Sequence, residues 1–589
     1  MCGIAGCFQL KNHFPIPSIG KILEKQNSRG PDSEGYYFNE RLILGHKRLK
    51  IIDLSEQAAQ PMINKELGLS LVFNGEIYNF LELRKKLQQK GYYFQSSGDT
   101  EVILKAYDAW GKDCLQYIEG MFAFALWDEK RKTLILARDR LGIKPLYYAE
   151  TPHTFLFAST LPALLQSPDI DTRIDKAALH YYLTFHSTPE PLTLIQGIKK
   201  LSPGTVLSLN EHGKKDINYF WKLNYADRIN YFRKEEEWIA ELKETLNFAI
   251  QRQFVADVPV GVFLSGGLDS SLLVALASQL KGHSLHTFSV GFDSFNNEKG
   301  DEFIYSDKVA QQFGTNHHKL WIPNKKVEST LSNCIASMSE PMVSHDNIAF
   351  YLLSQEVAKH VKVVLSGQGA DEIFAGYHWF QKLPTTPLTD SQSAKLMLKV
   401  IADRNYNEYK QLIAKDYLAP NLSHEFLLNL CKESGSSNPI EQLILYESTT
   451  ALANGPLSRV DNMSMSASLE ARVPFLDEQL VQLAFSMPLK FKLPNDGKYI
   501  LKQLGRQLLP KEIVDRPKGY FPVPAIKHLQ GKIASLMEEM LSPKTIENRG
   551  IFNSHTVQAL RKTNHFTPTG GSKLWQIALL EYWLQQQNL

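Results

Sequence analysis

Nowhere in its 589 residues does the chain run to 18 consecutive apolar side chains, the length a membrane-spanning helix needs. The longest apolar segments, such as Met121 to Trp127, end within a strand or a couple of helical turns, so no membrane partner is expected. The start, Met1 to Cys7, has no basic region and meets polar residues at Gln9 and Lys11; it does not read as a signal peptide. Cysteine is scarce. The five (Cys2, Cys7, Cys114, Cys334, Cys431) are odd in number and scattered, which argues against a disulfide framework and for a reducing cytoplasm. No cysteine pair has a second pair at zinc-ligand spacing, and the adjacent His317 and His318 would face opposite sides of a strand, where packing or surface roles suit them. Surplus charge is missing too: 65 Lys and Arg against 62 Asp and Glu leave +3, which names no polyanionic partner, so no nucleic acid is expected.

What is present is the composition of a folded protein, 43% hydrophobic and 22% charged, long enough for two to four domains. Up to about residue 150, short apolar runs (Leu42 to Leu44, Leu69 to Phe73, Met121 to Trp127, Thr133 to Ala137, Leu146 to Tyr148) alternate with Gly, Asn, Asp and Pro, and helical patterns cover Phe80 to Gln89 and Glu101 to Trp110. This predicts an α+β unit rich in antiparallel sheet. A polar hairpin over Ser202 to Trp221 leads to a border near residues 210 to 230. Beyond it, helices (Glu235 to Phe254, Ser271 to Leu280, Tyr305 to Phe313) alternate with strands (Pro259 to Leu264, His286 to Gly291, Lys362 to Leu365), the pattern of a parallel sheet. From Leu396 onward the chain reads mainly helical.

Val258 to Leu264 runs straight into Ser265-Gly266-Gly267-Leu268-Asp269-Ser270-Ser271 and then a helical pattern. A strand, a small-residue turn and a helix N-terminus offer free N–H groups, hydroxyls and the positive end of a dipole, which suits phosphate. The Gly-Lys-Ser/Thr ending of a Walker A loop is absent, and the glycine spacing is not that of a dinucleotide fingerprint. The stretch resembles the pyrophosphate loop of ATP pyrophosphatases, enzymes that adenylate a substrate. The resemblance implies that Leu264, Ser265, Gly266, Gly267, Asp269, Ser270, Ser271 and Val290 hold ATP or pyrophosphate, with Asp269 on magnesium. A second strand and glycine-rich turn, Val363 to Tyr377, adds Ser366 and Gly367 to that set, Asp371 to the metal, and Gln368 and Tyr377 to the acceptor or adenylate site; oxygen ligands of this kind suit Mg²⁺ bound with nucleotide phosphates. Ser468 to Asp477 and Arg516 to Pro522 also resemble this family. Arg472 by itself reads as an ion-pair residue, and Lys518 resembles the lysine that stabilises charge as pyrophosphate leaves.

A small second residue normally permits removal of Met1, and Cys2 would then carry its thiol and a free α-amino group of pKa about 7.7 to 8.0, a built-in general base. Cys2 to Gly6, Arg29-Gly30-Pro31-Asp32, His46 to Asp53, Phe73 to Asn79 and Ser97 to Glu101 together resemble a class II glutamine amidotransferase domain. That likeness implies that Cys2 attacks the glutamine amide, with Asn74 and the Gly75 N–H as oxyanion hole. Arg48 would grip the α-carboxylate, Glu76 and Asp99 the α-ammonium, and main chain from Leu49 through Ile51 and Ile52 would line the pocket.

A glutaminase domain (2–215) ahead of an ATP pyrophosphatase domain (225–589) resembles glutamine-dependent asparagine synthetases over nearly the whole chain. The implied fold is an α+β N-terminal-nucleophile domain, an αββα sandwich, followed by an α/β domain of the adenine-nucleotide α-hydrolase type with a largely helical C-terminal part. The implied activity is an ATP-dependent C–N ligase: ammonia released at Cys2 crosses an internal tunnel and attacks an adenylated carboxylate, aspartate before others, with AMP and pyrophosphate released. Its partners are glutamine, MgATP and the acceptor; the oligomeric state is left open, a homodimer included. One departure stands out. Familiar bacterial members carry Glu in the Ser-Gly-Glu-Gly turn where this chain has Gln368, and a neutral amide cannot take a proton as a carboxylate can. With Glu340 to Asn347 and Ala375 to Trp379, Gln368 gives a second resemblance, to the branch that amidates the capped dipeptide N-acetylglutaminylglutamine. Rival classes are a tRNA-modifying enzyme with the same loop, disfavoured by the near-neutral charge, and a scaffold with degenerate sites, disfavoured by intact Cys2, Arg48, Asn74, Asp269 and Asp371.

Overall fold

The computed structural model describes residues 1–10, 19–226, 233–294, 299–344, 346–517, 531–562 and 572–589. Twelve antiparallel strands come first: β1 (Gly3–Gln9), β2 (Ser33–Phe38), β3 (Leu42–Arg48), β4 (Met62–Asn64), β5 (Leu69–Ile77), β6 (Gly120–Asp128), β7 (Thr133–Arg138), β8 (Tyr147–Glu150), β9 (Thr154–Ala158), β10 (Ile198–Lys200), β11 (Thr205–Asn210) and β12 (Lys215–Tyr219). They form two six-stranded sheets, ordered β10-β8-β9-β1-β3-β2 and β12-β11-β7-β6-β5-β4. Alternation along each strand decides what lies where. Ile4 and Phe8 of β1 turn inward to meet Val72, Ala125, Trp127 and Leu136 of the other sheet. Ala5 and Cys7 turn outward onto helical Ile22, Leu23 and Leu179. Across the second sheet, Leu71, Phe73 and Phe124 turn outward onto Leu83, Leu87, Val102 and Ala106 of the helices Phe80–Gln89 and Thr100–Trp110. The result is helix, sheet, sheet, helix, as the sequence implies.

The second half is built on a parallel sheet of β13 (Val260–Phe263), β14 (His286–Phe292), β15 (Asn316–Ile322), β16 (Val363–Leu365) and β17 (Glu470–Arg472), in the order β15-β14-β13-β16-β17. The chain leaves β13 toward β14 and β15, then crosses back to β16 and β17. The direction therefore reverses between β13 and β16, and the crevice beyond their carboxyl ends is where open α/β sheets bind ligands. Helices make up most of the rest. Two strands depart from expectation: β15, not read as a strand from the sequence, and β17, which lies inside the stretch read as helical. The latter is three residues long and carries Glu470 and Arg472, both fully buried, so it has neither the length nor the apolar run by which strands are recognised.

The halves meet on apolar and charged contacts. Met1, Leu49 and Ile51 pack with Val363 and Met465. Arg29 pairs with Asp461 at 2.7 Å and Lys200 with Glu340 at 2.8 Å.

Candidate active sites

At one end of the sandwich Cys2, from the β1 sheet, faces Asn74, from the β5 sheet. The Cys2 N–H donates to Asn74 Oδ1 at 2.9 Å, while Asn74 Nδ2 is buried without a partner. An amide whose oxygen is anchored and whose NH₂ is unused is a donor waiting for an acceptor, as an oxyanion hole requires. A Cβ on Gly75 would stand 2.1 Å from the Met121 carbonyl, so only glycine lets β5 approach β6 here. The Leu49 carbonyl is 4.0 Å from Cys2 Sγ. Arg48 fixes that loop by donating to the carbonyls of Ser55 at 2.9 Å and Asp53 at 2.5 Å. Ile51 turns to the other half: its carbonyl accepts the Asp257 N–H at 2.9 Å and its side chain packs beside Met1, with half-buried Ile52 next to it. With Met1 in place the terminal ammonium belongs to that residue, and it pairs with Glu470 at 2.9 Å. Burial pushes the Cys2 thiol up and the Met1 ammonium pulls it back.

Glu76 and Asp99 are buried near each other. Asp99 Oδ2 accepts the Ile77 N–H at 2.9 Å, and burial lifts its carboxyl to about 6. Burial also raises Glu76, and Glu470 adds to this while Arg472, 3.3 Å from Glu76, opposes it. Two buried carboxylates short of positive charge suit an arriving ammonium group.

The second cluster lies at the β13/β16 crevice. The helix Leu268–Lys281 starts with Gly267 as N-cap and no side-chain cap, which leaves its first N–H groups available to an anion. Ser265 and Ser270 link hydroxyls at 3.1 Å, and Ser270 Oγ accepts the Ser265 N–H at 3.2 Å. Gly266, at φ +72, has no room for a Cβ, which would meet Tyr305 at 2.6 Å and Ser306 N at 2.7 Å. Leu264 continues β13 through its N–H to the Phe288 carbonyl at 2.8 Å, and Val290 follows on β14. Ser271 is buried one turn into the helix. Gly367 brings the β16 turn against the Asp269 backbone and Cβ. Lys498 Nζ sits between two carboxylates, 2.6 Å from Asp269 and 2.8 Å from Asp371. Carboxylates that converge on one ammonium can converge on a divalent cation. No three His, Cys, Asp or Glu side chains form a metal-holding group among the described residues, so a cation here fits one that brings phosphate oxygens with it. Gln368 and Tyr377 are tied to different partners: Gln368 Oε1 is 3.5 Å from Arg459, and the Tyr377 hydroxyl donates to Glu372 at 2.6 Å.

The Asparagine synthase family model matches residues 241–585, and the Glutamine amidotransferase domain model matches residues 1–221. Glutamine-hydrolyzing asparagine synthetase 3 of Bacillus subtilis (strain 168) is 32% identical, covering 97% of this chain and 94% of that one. The chain belongs to the glutamine-hydrolysing asparagine synthase family. Synthetase 1 of the same organism is 31% identical over 99% of this chain and 96% of its own; Amidase chyE of Penicillium rubens is 26% identical over 92% and 90%. This family member is thus an ATP-dependent, glutamine-hydrolysing ligase. Among the described residues no helix is long and apolar enough to cross a membrane.

The geometry of this asparagine synthase family member also brings in residues that sequence reasoning passed over. Among the described residues Lys498, after the Asn495-Asp496-Gly497 turn, reaches the crevice; Lys518, expected there, lies outside the described residues. A lone lysine at the start of an amphipathic helix carries no periodic signal. Glu470, from β17, stands against Met1 of the first half, and Arg472, read from the sequence as an ion-pair residue, pairs with Glu76 there. Arg29, in the Arg-Gly-Pro-Asp stretch, donates to the Cys2 carbonyl at 3.1 Å as well as binding Asp461.

Proposed function

We propose that this protein releases ammonia from glutamine at Cys2, passes it through the interface of its two halves, and amidates a carboxylate adenylated with MgATP, aspartate being the first candidate acceptor. The glutaminase unit is 2–215 and the synthetase unit 225–589. The observation that carries the reading is β17: the Arg472 side chain faces Glu76 in one pocket, and its carbonyl accepts the Ser366 N–H at 2.8 Å in the other. Val363, packed under Met1 at the start of β16, and Ser366, just past its end, are three residues apart, roughly 10 Å in extended chain, so ammonia has a short way to travel.

In this reading the Cys2 sulfur adds to the glutamine amide carbon, Asn74 Nδ2 and the Gly75 N–H receive the developing oxyanion, and ammonia leaves as the thioester forms. Arg48 holds the glutamine α-carboxylate; Glu76 and Asp99 hold its ammonium. In the crevice, Ser265 to Ser271 and the start of the helix Leu268–Lys281 bind the outgoing pyrophosphate while Lys498 faces its charge. Asp269 and Asp371 would hold Mg²⁺ with the nucleotide, where it adds positive charge against the phosphates. An acceptor carboxylate oxygen attacks the α-phosphorus and pyrophosphate departs. Ammonia then attacks the acyl carbon, loses a proton, and AMP leaves. A cytoplasmic location completes the proposal.

A second reading rests on Gln368. A neutral side chain replaces the acid of familiar members, and this favours a capped dipeptide, N-acetylglutaminylglutamine, whose one carboxylate would be activated in the same way. Pyrophosphate release with MgATP and glutamine, run with each acceptor and with the product identified by mass, tests both. Asparagine formation supports the first reading and the dipeptide amide the second; release with neither contradicts the function.

A further inference from the structure

The guanidinium of Arg459 is a half-buried cation beside Gln368 whose contacts among the described residues are loose. Arg459 lies on the helix Pro456–Met465, its side chain 13% exposed. Among the described residues its polar contacts are long: Ser344 Oγ and Asp346 Oδ2 at 3.4 Å and Gln368 Oε1 at 3.5 Å. Its Nε is buried with no partner. Charge-assisted bonds from arginine normally close to 2.7–2.9 Å, and the same helix does so at its next acidic position, where Asp461 meets Arg29 at 2.7 Å. The Phe350 ring lies under Arg459 at 5.3 Å and fixes the guanidinium plane. Opposite it, Asn347 Nδ2 donates to the carbonyls of Met342 and Ser344. Gln368, the neutral neighbour, is the residue after Gly367, where a Cβ would stand 3.2 Å from Asp269 Cβ in the crevice.

We infer that Arg459, with Ser344 and Gln368 beside it, is the grip for a carboxylate of the acceptor. A planar fork with donors to spare, beside the residue that follows Gly367, matches a carboxylate in shape and charge. Among the described residues Asp346 pairs with the guanidinium at 3.4 Å, and an acceptor carboxylate would add the closer, two-point contact. The carboxylate has two sources under the proposed function, on which this inference rests: aspartate, whose α-carboxylate would be held, or the capped dipeptide, whose terminal carboxylate would be.

Calorimetric binding without glutamine tests it on the full-length protein, using aspartate, N-acetylglutaminylglutamine and the amide of the latter as probes. One carboxylate should bind. The dipeptide amide, which lacks a carboxylate, should bind at least 10-fold more weakly than the dipeptide if that is the acceptor. Arg459→Met should weaken the bound carboxylate by about 10- to 100-fold, and Arg459→Lys, which keeps charge and bulk but not the fork, by about 3- to 10-fold. In steady state the acceptor KM should rise with the ATP KM nearly unmoved. Unchanged affinity in both variants, an equal rise in both KM values, or no binding of either carboxylate by the wild type overturns the inference. A carboxylate that binds through Arg459 yet releases no pyrophosphate instead removes the amidotransferase reading and leaves the carboxylate site standing.

Discussion

The carbonyl oxygen of Arg472 accepts the N–H of Ser366 at 2.8 Å. That bond joins the strand whose side chains reach the glutamine pocket to the turn that opens the phosphate crevice. Arg472 Nε pairs with Glu470 at 2.6 Å, Nη1 donates to the carbonyls of Gln253 and Val255, and Nη2 lies 3.3 Å from Glu76.

Arg472 should therefore matter to fold and to glutamine use together. Removing one partner of a buried ion cluster leaves its acids uncompensated, at a cost of about 3 to 5 kcal/mol. Arg472→Met should melt well below the wild type, and Arg472→Lys less so, with a raised glutamine KM in whatever protein stays folded. A Met variant with wild-type melting temperature and glutamine KM would show that the cluster is incidental.

Cys2→Ala should abolish glutamine-dependent amidation and spare amidation with free ammonium salts. Asn74→Ala, which removes the unpartnered Nδ2, should lower the glutaminase kcat about 10²- to 10³-fold. Loss of ammonia-dependent activity in Cys2→Ala would contradict a separate synthetase site.

Asp99 gives a pH signature. Its folded carboxyl titrates near 6 rather than at the ordinary 3.8 because it is buried, so it takes up a proton as pH falls from 7.5 to 5.5 and loses its hold on an ammonium group. Glutamine KM, measured by glutaminase assay across that range, should rise toward the acid side. In Asp99→Asn it should be high throughout, about 10-fold or more above wild type at pH 7. The same raised pKa means that ionised Asp99 opposes folding above its titration, so the Asn variant should melt higher at pH 7. A pH-independent KM in the wild type would remove Asp99 from glutamine binding.

Lys498 and Asp269 form an ion pair in the crevice at 2.6 Å. Asp269→Asn and Lys498→Met should each cut acceptor-dependent pyrophosphate release by about 10²-fold or more, while Cys2 goes on hydrolysing glutamine. Full synthesis by either variant would place the phosphates elsewhere.

Much of this was legible in the sequence where chemistry is local. The Ser265–Ser271 turn is a strand, two glycines and a helix start in immediate succession, and the structure has that succession. The apolar runs of β5 and β6 gave an α+β unit rich in antiparallel sheet, and the αββα layering came from the family resemblance. Illegible were the long-range pairs. Lys498 is separated from Asp269 by 229 positions, and Met1 from Glu470 by 469. No periodicity or spacing links such residues, and β17 hides because its burial is ionic rather than apolar. Arg459 was equally silent, since an arginine on a helix ordinarily means a solvated face.

The central claim, that one chain carries ammonia from Cys2 to an adenylated carboxylate, is tested most directly with amide-¹⁵N glutamine, MgATP and the acceptor, in the presence of excess unlabelled ammonium. The account predicts that the amide product carries ¹⁵N and that it forms in step with AMP and pyrophosphate. A product whose nitrogen has the isotope composition of the bulk ammonium would contradict it.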